Sequence, residues 1–259
     1  MDMDMEHAPR HTLWDMTWTE LDAAAHDIDL VLVPVGSTVQ HGPNSVFSSD
    51  AVRANEFALK IAERLYPRVL VAPVMPFGIA HHHMSFPGTI SLSPETFTNL
   101  LFEVVESLAE HGFDRFLFVN AHPGNEAALD LLLGRLRNKL DLSPAWVSIS
   151  ALARDSEKPG GRGEASEHAG QSEISQLLYL APWTVRTGAL AANELLEQEY
   201  PFTSPEGPIH VAYTFDELTT NGVIGDARNA SAELGERIIS TALDRVCTFV
   251  KVFFDGDAF

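Results

Sequence analysis

The 259-residue chain holds a single cysteine, Cys247. No internal disulfide can form, and so little cysteine fits a reducing compartment. No apolar run reaches the roughly 18 residues that a membrane-spanning helix needs. The segment Met1–His7 is acidic and polar, without the basic start and apolar stretch of a secretion signal. A cytoplasmic protein is therefore expected. Basic side chains are scarce, with 17 Lys and Arg against 36 Asp and Glu and a formal charge of −19. Nucleic acid and anionic lipid both want Lys/Arg patches, so neither is an expected partner. The acidity serves solubility. Three motifs are also missing: the phosphate loop Gly-x4-Gly-Lys-Ser/Thr, the Gly-x-Ser-x-Gly nucleophile elbow and the Gly-x-Gly-x-x-Gly dinucleotide turn.

Hydrophobic residues make up 45% of the chain, enough to fill a large core. One domain over residues 1–259 is expected. Four short apolar runs read as buried parallel strands: Leu30–Val35, Val69–Val74, Phe116–Val119 and Trp146–Ile149. Amphipathic spacing predicts helices over Asp50–Tyr66, Ser93–His111, Asn125–Leu140 and Ser231–Val250. Ser93 stands as N-cap, Pro94 at the first helical position and Gly112 as the stop. Strand alternating with helix predicts an α/β fold with a mainly parallel sheet between helical layers. Asp155–Ser166 and Tyr200–Ile209 read as loops. Cys247 falls in an apolar helical pattern and reads as core.

Open parallel sheets bind ligands outside the carboxyl ends of their strands. After the first run comes Gly36-Ser37-Thr38-Val39-Gln40-His41-Gly42-Pro43, leading to Asp50. After the third comes Asn120-Ala121-His122-Pro123-Gly124-Asn125. Two distant segments thus bring a histidine to one edge, with a carboxylate nearby. Imidazoles and a carboxylate are donors for zinc, manganese or iron, so His41, Asp50 and His122 are candidate metal ligands. The alternative is that both histidines cap loops by hydrogen bonds. His81-His82-His83 follows the second run and either faces the same edge or lies exposed in its loop. His168 precedes a small Ala169-Gly170 step and can reach a substrate. Glu173 either ligates a metal or caps the next helix.

At these residues the chain resembles the creatininase, or creatinine amidohydrolase, family. The segments that carry the resemblance are Leu13–Trp18, Pro34–Pro43, Phe86–Pro94, Val119–Asn125, His168–Gly170 and Gly222–Asp226. The resemblance implies a three-layer α/β/α fold, metal-dependent opening of a C–N amide bond and assembly into a homo-oligomer, often a hexamer. Departures from the family pattern are specific. Val39 stands where Gly-Ser-x-Glu-Gln-His-Gly-Pro has its metal-binding glutamate. Gly124 stands where creatininase itself has a glutamate. His82-His83 replaces a Glu-His pair, and Gln171 replaces the glutamate of His-Ala-Gly-Glu. These changes count against a fully populated two-metal centre and against creatinine as substrate.

The expected chemistry is hydrolysis of a cyclic amide or formamide. One divalent ion on His41, Asp50 and His122 activates water and polarises the carbonyl. His168 serves as general acid toward the leaving nitrogen, with Glu173 as a second catalytic group. His82, His83 and Gly124 face the substrate. Two alternatives stand beside this: opening of a cyclic ketone or lactone by the same activated water, and a catalytically silent binding protein of the same fold.

Overall fold

The segment Leu30–Val35 is buried along its whole length, and its alternate residues serve different cores. Val31, Val33 and Val35 pack into one apolar cluster, and Leu30 and Leu32 into another. A strand's side chains alternate between faces, so a strand apolar at every position must lie inside a sheet covered on both sides. In the computed structural model, which describes residues 9–153, 167–196 and 211–255, this strand is β2. The others are β1 (His11–Thr12), β3 (Val69–Val71), β4 (Arg115–Asn120) and β5 (Ser143–Ser148). All are parallel, in the order β1-β3-β2-β4-β5. Leu117 and Val119 of β4 repeat the alternation against Phe116 and Phe118.

Helices cover both faces. On one side lie α2 (Ser49–Leu65), through Ala54, Phe57 and Ile61, and α8 (Ala232–Asp255), through Ile238, Ala242 and Val246. On the other lie α3 (Pro94–Ala109), through Phe97, Leu101 and Val105, and α4 (Glu126–Leu140), through Leu129, Leu132 and Leu136. Each such Leu or Phe taken from water contributes roughly 1.5–3 kcal/mol. Short helices α1 (Trp18–Ala24), α5 (Ile149–Leu152) and α7 (Phe215–Leu218) occupy connections. Helix α6 (Gln171–Leu180) packs on α8. This is the three-layer α/β/α architecture expected from the sequence.

Local signals acted as expected at several ends. The Ser93 side chain accepts from Thr96 N to open α3, and Gly112, at φ +94°, lies just past its end. Cys247 is buried in α8. Some boundaries moved. The second apolar run pairs only through Val71, two residues before Pro73, which has no N–H to give a ladder. Ile149 belongs to α5 rather than to β5, because the Ser148 side chain accepts from Ala151 N and starts a helix there. The last helix runs on to Asp255. The segments Met1–His7, Asp155–Ser166 and Tyr200–Ile209 lie outside the described residues. No helix among the described residues is long and apolar enough to cross a membrane.

The strand order fixes the site. From β2 the chain moves to β3 on one side, then crosses back to β4 on the other. The loops leaving β2 and β4 therefore part at their carboxyl ends and open a crevice between them. Residues 36–48 follow β2 and residues 121–125 follow β4.

Candidate active site

Helix α2 begins inside this crevice. Asp50 is its second residue, where a carboxylate complements the positive end of the helix. Arg53, three residues on, shares its face. Asp50 is 2% exposed and meets groups from three directions. His41 Nε2 lies 3.4 Å from Oδ1, His122 Nδ1 lies 3.0 Å from Oδ2, and Arg53 Nη2 lies 3.6 Å from Oδ1. Glu173, in the first turn of α6, completes the group. Its Oε1 is 2.9 Å from Arg53 Nη2 and 3.5 Å from His41 Nε2, while its Oε2 accepts from Ala169 N at 2.8 Å. Glu173 thus holds the backbone just before α6 and faces the cluster.

Gln40 organises the histidines. Its side-chain N–H groups reach His83 Nδ1 and Gly222 O, each at 3.0 Å. Its backbone carbonyl can only accept, so the contact with His168 Nε2, at 2.8 Å, is donated by the histidine. Nδ1 of His168 keeps its lone pair. His41 donates Nδ1–H to Val39 O at 3.0 Å, which turns Nε2 toward the two carboxylates. Ala169, between His168 and Gly170, sits at φ +54°, a strained position for a residue with a Cβ.

Charge follows from this packing. Burial opposes a proton on His41, but Asp50 and Glu173 outweigh it and raise its pKa to about 10. Burial also resists ionisation of Asp50, yet His41 and then His122 hold its carboxyl well below the usual range. Against the same resistance, Arg53 and His41 lower Glu173 to about 2. Burial, then the neighbouring His41, push His168 down to about 4. Burial, with His122 and His81, takes His82 to about 4, and burial with His168 holds His83 far below the ordinary value.

A cavity of about 340 Å³ opens on this cluster, walled by Asp50, Arg53, His82, His83, His168 and Phe215. His83 packs against Phe215 with ring centres 3.7 Å apart, and His82 stacks on His122 at 5.7 Å. His81 alone of the triplet is exposed. All eight candidate site residues come to this crevice. A second groove, of about 240 Å³ between Trp14 and Trp183, holds none of them. Arg53 and Phe215 carried no recognisable signal, although Arg53 stands one helical turn past Asp50, and Gln40 stood inside the family pattern without a role assigned to it.

His41 Nε2 is buried without a hydrogen-bond partner among the described residues, aimed at two carboxylate oxygens. With its pKa raised to about 10, Nε2 carries a proton toward the two carboxylates, and without that proton the position calls for another cation. His41, His168 and Glu173 each offer a ligand atom within 4.8 Å of the other two. This donor set fits a divalent ion, which takes the place of the His41 proton.

Comparison with known proteins agrees. The family model described as creatinine amidohydrolase matches residues 14–250. The chain belongs to the creatininase family. It is 33% identical over 224 residues to the mycofactocin precursor peptide peptidase of Mycobacterium tuberculosis (strain ATCC 25618 / H37Rv), covering 83% of this chain and 81% of the relative. It is 28% identical over 260 residues to creatinine amidohydrolase of Pseudomonas putida, covering 93% and 96%. A solved structure, "Creatininase Mn", superposes with a TM-score of 0.77 at 26% identity over 95% of this chain and 99% of that one. The protein is thus a hydrolase of the creatininase family, with donors placed for a divalent ion.

Gly124 shows how closely this member is fitted. A Cβ there would lie 2.3 Å from Ile79 O, 2.6 Å from His122 Nε2 and 2.9 Å from His82 Cε1. Gly124→Ala is expected to displace both histidines and cost about 1–3 kcal/mol. A melting temperature equal to that of the wild type would show that the loop gives way freely.

Proposed function

We propose that this creatininase-family enzyme hydrolyses the C–N bond of a small cyclic amide or formamide. The observation that carries the proposal is the unpartnered, buried Nε2 of His41 facing Asp50 and Glu173 at the floor of a histidine-lined cavity. The proposed metal donors are His41 and Asp50, joined by Glu173. His122 grips the other oxygen of Asp50 and fixes that carboxylate, as outer partners of metal ligands do. When bound, the ion activates water and polarises the amide carbonyl.

The chain's own groups do the rest. His168 is neutral at pH 7, with its Nδ1 lone pair free of Gln40. It enters the cycle as a proton acceptor and then delivers that proton to the leaving nitrogen, so its role as general acid follows its role as base. His82, His83 and Phe215 form a wall that sorts substrates by shape. The cavity suits a small molecule.

The test is turnover of a cyclic amide, an N-formyl amine and a short peptide before and after chelation, with zinc and manganese restored in turn. The peptide is included because one relative is named a peptidase. Amide hydrolysis that stops on chelation and returns with metal is expected, together with about one tightly held divalent ion per chain. Full activity in metal-free protein would sink the proposal. Turnover of lactones or cyclic ketones but no amide would move the enzyme to another substrate class.

A further inference from the structure

Arg53 is 1% exposed, among the most deeply buried large side chains of the protein. An arginine is always charged, and burying it is costly unless its charge and N–H groups are met. Here Nη2 contacts Glu173 and Asp50 and also donates to the carbonyl of Ala121, beside the end of β4. Nη1 reaches Ser150 Oγ at 3.5 Å. The guanidinium is therefore pinned between α2, α6 and the β4 loop.

We propose that Arg53 is a resident cation of the Asp50–Glu173 pair and sets how many divalent ions the cluster accepts, which is one. The proposal rests on the metal-dependent function above. Each of the four carboxylate oxygens already faces a protein group. Oδ2 of Asp50 faces His122, Oε2 of Glu173 accepts from Ala169 N, and Oδ1 and Oε1 both face Arg53. The lone pairs of Oδ1 and Oε1 toward His41 Nε2 converge on one position. Charge points the same way. Two carboxylates are balanced in part by one guanidinium, and a single divalent ion more than completes the balance. A second ion would bring two further positive charges close to that guanidinium. Val39 is a buried alkyl group and Gly124 has no side chain. Arg53 acts here through the carboxylates it holds, as a positioning residue.

The experiment is zinc binding by the full chain, as stoichiometry from elemental analysis and affinity from calorimetry, for wild type, Arg53→Met, Arg53→Gln and Arg53→Lys. Wild type should hold one zinc. Arg53→Met and Arg53→Gln should take a second zinc. Arg53→Lys keeps the charge and should stay at one. If Arg53→Met fails to fold without metal, Arg53→Gln carries the measurement, since its amide keeps an N–H for Ala121. One zinc in every variant would overturn the proposal and leave the metal-dependent function intact. Two zinc ions in wild type, with Arg53 in place, would overturn it as well. No zinc in wild type would sink the metal-dependent function and, with it, the capacity of one that rests on it.

Discussion

Asp50→Ala is expected to lower the melting temperature by roughly 6–20 °C and to abolish hydrolysis. The size follows from what Asp50 holds. One carboxylate, 2% exposed, answers His41, His122 and Arg53 together. Removing one member of a buried ion pair costs about 3–5 kcal/mol, because the partner's charge stays buried and unmet. For a domain of this size each kcal/mol is worth about 2–4 °C. Total stability is typically about 5–15 kcal/mol, so the variant stands close to the edge of folding. Asp50→Asn keeps the shape and one acceptor and should lose less stability but equally much activity, since an amide is a poor metal ligand. The depressed carboxyl pKa gives a second signature. A group held below its unfolded value stabilises fully above the ordinary aspartate range, and that contribution is lost as pH falls through the depressed value. The wild-type advantage over Asp50→Ala should therefore shrink in acid. Thermal unfolding followed by circular dichroism between neutral and acidic pH measures both. A shift under about 2 °C at neutral pH would mean that the cluster is not organised around Asp50.

Much of this arrangement was readable in the chain, for reasons that differ by element. Strands β2 and β4 were legible because both of their faces are buried, which leaves an unbroken apolar run. The crevice was legible because the loops after those strands carry His41 and His122, and parallel sheets place such loops at one edge. Strand β1 was not legible. It has two residues, too few to show a period, and exists because β3 offers it a ladder. Helix α1 carries a capping box, with Thr17 and Glu20 paired, but its seven residues show no buried stripe.

The site divided in the same way. Histidines announce themselves by their loop position after the strands. Arg53 did not, because an arginine on an amphipathic helix ordinarily faces water, and only the docking of α2 and α6 over the β4 loop encloses it. Gln40 lay between two residues that drew attention, Val39 and His41, yet it joins His83, His168 and Gly222. No sequence pattern brings Phe215 to His83, since the two are joined only through the tertiary fold.

His168→Ala is expected to slow turnover by about 10²–10⁴-fold, the usual contribution of a general acid–base group, while fold and metal content remain. Fold should survive because the backbone at 168 is secured without the side chain. His168 N donates to Ile224 O and Ile224 N to His168 O, each at 2.9 Å. Glu173 stays held at the start of α6 by Ala169 N. What disappears is a cavity-lining ring 4.7 Å from that of His41 and 4.6 Å from that of His83. The loss should fall on kcat, because the proton is moved in the transition state and the shape-sorting wall is left in place. Elemental analysis of the same samples decides between two roles. Metal retained with kcat reduced assigns proton transfer to His168. Metal lost with activity would make His168 a ligand beside His41 and Glu173, with which it already shares a position close enough for one ion, and proton transfer would then pass to another group lining the cavity.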